Sequence, residues 1–306
     1  MIGFNNLGNM GRLGNQMFEY ASLRGIAANK CYDWCIPPFD RRGIENYSLD
    51  RAFTLSSVTS NNLQILHNGH APVVKERFFH FDKELLDLCP DEINLHGFFQ
   101  TEKYFKNIEN EIRNEFTFHD SILNPCKEMI ESLDTDPIFL HVRRGDPNLT
   151  DPRGFKWAYT ECSDQHPPQP LEYYERALKE FPDDTTVVIC SDSPEWVQEQ
   201  DIFSGDRFVV SVPEDKYDDG SYEPFVDMCL MTLCSGAIIA NSSMSWWGAW
   251  LQNGRGTVVA PSMWFGPAYP NNDTKDLYPE GWIKLLKKIL KIVLLLFLFV
   301  LNLRID

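Results

Sequence analysis

Two arginines stand side by side in His141-Val142-Arg143-Arg144-Gly145-Asp146, directly after the apolar run Ile138-Phe139-Leu140. That run reads as a buried strand. The arginines therefore fall at its C-terminal end, where open α/β sheets bind their ligands. In a chain of net charge −16, two guanidinium groups at such a place need carboxylates or phosphates to face. The planar fork of arginine suits phosphate oxygens, which it binds bidentately. We expect one arginine on a ligand and one in a structural pair, for instance Arg144 with Asp146. His141 alternates with Arg143 along the strand and shares its face, although a histidine here also reads as a satisfied core residue.

Two further segments offer anion chemistry. In Gly11-Arg12-Leu13-Gly14-Asn15-Gln16, two glycines frame a tight turn that opens a helix. Glycine allows positive φ and close backbone approach, and a helix N-terminus presents unpaired N–H groups. One reading is a loop on a diphosphate, with Arg12 adding charge and Asn15 a polar contact; the other is a plain strand-to-helix turn. In Asn241-Ser242-Ser243-Met244-Ser245-Trp246-Trp247-Gly248-Ala249-Trp250, Asn241 or Ser242 is a natural N-cap. Ser242 and Ser243 then lie at a second helix N-terminus, and the tryptophans read as core.

Other chemistries lack their signatures. There is no Walker lysine loop, no H-E-x-x-H and no G-x-S-x-G. Asp134-Thr135-Asp136 has the form of a metal-binding D-x-D, but it precedes a strand and reads as linker. We therefore expect no metal and no cofactor, with arginine and helix dipoles meeting the charge of a leaving group. The acidic balance argues against nucleic acid as a partner. The cysteines are scattered without zinc spacing and read as ordinary thiols.

The elements that must position these groups follow from periodicity. Met1 to Phe4 is a weak strand and Gln16 to Asn29 a helix; Cys31 to Ser60 reads as loops, and Glu102 to Glu115 as a second helix. From Pro137 the pattern sharpens: strands at 138–142, 186–190, 237–240 and 257–260 alternate with helices at 171–181, 224–234 and 242–251. Such alternation predicts a parallel, doubly wound α/β sheet. The 306 residues divide into an N-terminal domain over 1–133, a second domain over 134–284, and a basic-hydrophobic tail over 285–306. In that tail Ile292 to Leu301 is wholly apolar, too short for the roughly 20 residues of a helical span. Lys287, Lys288 and Lys291 precede it, so residues 285–303 are expected to touch a membrane surface peripherally. Met1 to Asn9 lacks the charged and apolar regions of a signal peptide, so the expected location is cytoplasmic. The four Asn-x-Ser/Thr sequons then carry no meaning.

Taken together and in order, these segments resemble the α-1,2-fucosyltransferase family, the blood-group H-type enzymes and their bacterial relatives. The matching residues are Gly11 to Met17 with Glu19-Tyr20-Ala21, Glu115 to Asp120, His141 to Asp146, and Asn241-Ser242-Ser243 with Ser245 to Leu251. The resemblance spans roughly residues 5 to 265. It implies two Rossmann-like domains facing across a cleft (GT-B-like), with the nucleotide held mostly by the second. It also implies inverting transfer of L-fucose from GDP-fucose to a sugar hydroxyl. The related α-1,6 and protein O-fucosyltransferases share the H-x-R-R and G-R-x-G-N elements. Their pattern implies guanine read by His141 and Asp227, and Arg143 on the β-phosphate. It puts Ser242 and Ser243 near the phosphates, and Arg12 and Asn15 towards the fucose end. It also maps an acid onto Asp151, a candidate base alongside Asp146. The chain departs from the family where Asn5, Asn6 and Asn9 interrupt the first strand. Two rivals remain: a non-catalytic sugar-binding protein on a decayed scaffold, and an NAD-linked sugar enzyme. The missing third glycine and ribose-binding acid speak against the latter.

Overall fold

The computed structural model describes residues 1–40, 47–145, 163–212, 224–252 and 256–286. Before Leu133 the elements are β1 (Ile2–Gly3), α1 (Leu13–Lys30), β2 (Trp34–Cys35), α2 (Leu49–Ala52), β3 (Val73–Lys75), α3 (Lys83–Leu88), β4 (Asn94–His96), α4 (Glu109–Glu115) and α5 (Asp120–Glu131). After it come β5 (Ile138–Val142), α6 (Leu171–Leu178), β6 (Val187–Ser191), α7 (Pro194–Gln198), β7 (Phe208–Val210), α8 (Phe225–Leu233), β8 (Ala237–Ile238), α9 (Ser243–Leu251), β9 (Val258–Pro261) and β10 (Ile283–Leu285). The strands form two parallel sheets, ordered β2-β1-β4-β3 and β10-β9-β8-β5-β6-β7.

The second sheet follows the predicted alternation, because its strands β5, β6, β8 and β9 are buried on both faces and read as apolar runs. Sequence periodicity did not mark β3, β4, β7 or β10, none longer than three residues. The asparagines after β1 extend its pairing through side chains. Asn5 donates its backbone N–H to Asn94 Oδ1 at 2.7 Å, and its own Oδ1 accepts from the Leu66 amide at 2.8 Å. The helix expected over Glu102 to Glu115 is broken into two 3₁₀ turns and α4. Phe105 leaves helical geometry, with φ −128°, and stacks its ring on Trp247 at 5.4 Å. A tertiary aromatic contact overrides local propensity there.

Helix α1 is buried almost throughout because it lies between strands β1 and β2 of the first sheet and helix α9 of the second half. Phe18 meets Trp246 and Trp247 of α9 at 4.5 and 4.9 Å between ring centroids. The tryptophans are thus core, as expected. Two glycines permit this packing: a Cβ on Gly25 would lie 2.1 Å from the Tyr104 carbonyl oxygen, and one on Gly14 would lie 2.6 Å from the Met244 amide nitrogen. At the other end of the chain, Leu285 belongs to β10, which pairs with β9, and not to a tail. Residues 287–306, with the apolar run and its lysines, lie outside the described residues. No helix among the described residues is long and apolar enough to cross a membrane.

Candidate active site

The arginine pair is organised by a carboxylate from the neighbouring strand end. The β5–β6 register sets His141 beside Cys190 and Val142 beside Ser191, so Asp192 follows directly at the end of β6. Asp192 accepts from Arg143 Nη1 at 2.5 Å, from the Arg144 amide at 3.0 Å and from the Gly145 amide at 2.8 Å. Gly145 has φ +71°, the left-handed conformation that glycine adopts without strain. Arg144 turns aside and lays its guanidinium 3.9 Å above the Trp196 ring. Arg144 is thus packed on a ring, while its expected partner Asp146 lies outside the described residues. Arg143 keeps its side chain at the strand end, 16% exposed.

Behind Arg143 lie two buried groups with suppressed charge. His141 is 3% exposed, and its Nδ1 has no hydrogen-bond partner among the described residues. Burial pushes its pKa down to about 3, and Arg143 adds to the effect against Asp192, so the ring is neutral at physiological pH. Asp227, on α8, is 6% exposed and accepts from Ser211 Oγ at 2.6 Å. Burial raises its pKa to about 7, against the stabilising Ser211 bond. The Cys190 thiol, beside His141 in the ladder, donates to the Asp227 carbonyl at 3.8 Å. His141 and Asp227 thus flank one strand position, one buried ring nitrogen and one poorly solvated carboxylate.

The glycine-rich loop and the serine pair meet at one point. Gly11 has φ +81°, and a Cβ there would lie 2.2 Å from Asn15 Nδ2, so only glycine fits. Arg12 is the N-cap of α1 and Ser242 that of α9, and neither side chain makes a capping bond. A Cβ on Gly14 would also lie 2.7 Å from Ser243 Oγ, so the two helix N-termini approach each other closely. Arg12, Asn15, Ser242 and Ser243 are all half-buried. Asn15 is oriented by Gln100, which donates to its Oδ1 at 2.9 Å. Two helix ends, an arginine and hydroxyls thus meet at one place, a grouping whose chemistry suits anionic oxygens. Asn241 is a brace beside it, donating to Pro167 O and Trp264 O and accepting from Gln169.

Comparison with known proteins decides the family. The model of glycosyl transferase family 11 matches residues 1–286. This chain belongs to glycosyl transferase family 11. It is 29% identical to an alpha-1,2-colitosyltransferase of Escherichia coli over 90% of this chain and 97% of that protein. It is 27% identical to galactoside alpha-(1,2)-fucosyltransferase 1 of Alouatta caraya, over 82% of this chain and 66% of that protein. The solved structure of POFUT1 in complex with GDP is 12% identical, with a TM-score of 0.50, covering 84% of this chain and 95% of that one. That likeness concerns the fold, which is GT-B-like as expected.

In this family 11 glycosyltransferase the fold brings together Arg12, Asn15, Ser242 and Ser243 at the helix ends; His141 and Arg143 share the end of β5, and Asp227 sits on α8, which packs on β5 and β6. Asp146 and Asp151 lie outside the described residues. Residues the sequence reading passed over are Asp192, Trp196, Ser211 and His166. Asp192 carried a legible signal, an acid directly after an apolar strand beside the arginine strand. His166 carried none; its pKa is lowered by burial and then by the charge of Arg143. Glu19, within the first motif, is fully buried with neither oxygen bonded among the described residues. It lies between Asn15 and Ser22 on the α1 face that meets Phe99 and Gln100. Burial, and then Glu76, raises its carboxyl pKa well above the usual range.

Proposed function

We propose that this glycosyltransferase moves L-fucose from GDP-fucose onto a galactoside hydroxyl, inverting the anomeric centre and forming an α-1,2 linkage. The observation that supports it best is the pairing of neutral His141 with buried Asp227 behind Arg143. Guanine offers N–H donors that a buried carboxylate accepts, and its ring acceptors suit a protonated imidazole nitrogen. Arg143 then meets the β-phosphate, and the α9 N-terminus with Ser242 and Ser243 takes the remaining oxygens. Arg12 and Asn15 face the phosphate–fucose end.

In the reaction the acceptor oxygen forms a bond to the anomeric carbon as the bond to the GDP oxygen breaks. The electron pair leaves with GDP, whose growing charge Arg143 and the helix ends stabilise. The acceptor proton passes to a base, for which Asp151 is our first candidate and Asp146 the second. No metal or cofactor takes part in this reading, and the only partners are GDP-fucose, the acceptor glycan and, through the C-terminal tail, a membrane surface. We place the enzyme in the cytoplasm.

The colitosyltransferase relative favours one alternative donor, GDP-colitose. Incubation with each GDP-sugar and an arrayed glycan set, followed by linkage analysis, tests the proposal. Transfer from GDP-colitose alone, a linkage other than α-1,2, or turnover of neither donor would each refute it.

A further inference from the structure

An aromatic groove of about 350 Å³ opens beside the strand ends, lined by Trp264, Phe265, Tyr269, Asn272 and Thr274 among others. Among the described residues no charged one lines it. A site for a nucleoside diphosphate needs cations, so its occupant is neutral. Tyr269 shows an exposed face, 38% accessible, and Asn272 and Thr274 supply hydrogen-bonding groups at the rim. Flat rings with a few polar groups suit a sugar, whose C–H face packs on a ring while its hydroxyls reach the edge.

The groove is pre-formed. The Gly266 amide donates to Gln165 O at 2.8 Å and the Ala268 amide to Asp164 O at 2.7 Å. A Cβ on Gly266 would lie 2.3 Å from the Asp164 oxygen, so the two loops are in backbone contact. Tyr269 is held by its hydroxyl, which donates to Gln165 Oε1 at 3.3 Å. Phe79, from the loop after β3, meets Phe265 edge-on at 4.7 Å, which brings the first half of the chain to the groove.

The groove also reaches the donor residues. His166 stands 5.6 Å from the Phe265 ring and 5.7 Å from the Tyr269 ring, and it is close enough to Arg143 to feel its charge. Gln169 ties the same loop to Met263 O and to Asn241, the residue before Ser242. A neutral aromatic groove therefore begins where the cationic strand ends stop.

We infer that this groove binds the acceptor glycan by stacking a sugar ring on Tyr269. The inference rests on the proposed transferase reaction for its occupant but not for its geometry. The test uses full-length protein, lactose as the acceptor probe, and the variants Tyr269→Ala and Tyr269→Phe. Lactose binding is read by saturation-transfer-difference NMR, the lactose KM by transfer, and GDP affinity by calorimetry. Tyr269→Ala is expected to weaken lactose binding and raise its KM roughly tenfold, the scale of one lost aromatic contact. GDP affinity should stay unchanged, and Tyr269→Phe, which keeps the ring but loses the exposed Gln165 bond, should retain most of the lactose binding that Tyr269→Ala loses. An alanine variant that binds lactose as well as wild type overturns the groove assignment, as does a parallel loss of GDP affinity. So does a wild-type protein that binds GDP but not lactose. A wild-type protein that binds lactose through Tyr269 but not GDP supports the groove and refutes the donor reading instead.

Discussion

Replacing Asp227 by asparagine should stabilise the ligand-free protein at neutral pH while damaging donor binding. The carboxyl titrates at about 7 in place of its usual 3.8 because burial strips it of water. As pH rises past 3.8, the unfolded chain releases this proton while the folded chain keeps it. Folded-state stability therefore falls from about pH 4 until the folded pKa is passed, and then levels off. At about 1.36 kcal/mol per pH unit, the full effect is about 4 kcal/mol, of which about 3 kcal/mol falls between pH 5 and pH 8. Asparagine keeps the Ser211 bond and carries no charge, so this slope should vanish. Urea unfolding of both proteins at pH 5 and pH 8 measures it: the variant should gain about 3 kcal/mol on wild type between the two pH values. GDP, whose guanine N–H groups lose their anionic acceptor, should bind the variant more weakly by about 1–3 kcal/mol. Identical pH slopes in the two proteins would refute the burial argument, and unchanged GDP affinity would remove Asp227 from the base-binding slot.

Arg143→Ala should lower kcat/KM by about 2–4 kcal/mol in activation free energy. The fold should survive because Asp192 keeps the Arg144 and Gly145 amides; near wild-type kcat/KM would withdraw Arg143 from the phosphate. Gly14→Ala forces a methyl group against the α9 backbone, and unfolding free energy should drop by about 1–3 kcal/mol; an unchanged Tm would mean that the helix ends are not in contact. Activity should persist in EDTA, and loss restored by Mn²⁺ would bring Asp134 and Asp136 back as ligands. Full-length protein should float with anionic liposomes while a version ending at Leu286, which retains β10, stays in solution; if neither floats, the tail does not bind membranes.

The arginine segment was legible because apolar strand and cationic end are adjacent in the chain, and local pattern reports local structure. The same holds for Ser242 as N-cap, the tryptophan core, and Gly11, whose positive φ belongs to its own turn. Helix 102–115 was misread because Phe105 answers to Trp247, far away in sequence. Asp192, which receives Arg143, was passed over for a related reason, although its place directly after an apolar strand was visible. It is distant from Arg143 in the chain, and only the β5–β6 register brings it to the arginine. By itself the sequence determined the chemistry on offer: two helix N-termini, a strand-end arginine pair, a histidine and an acid. Only tertiary structure decided which of these meet, because Gly14 matters through α9 and Asp227 through its burial. Contact across sheets depends on packing between residues that no local spacing connects.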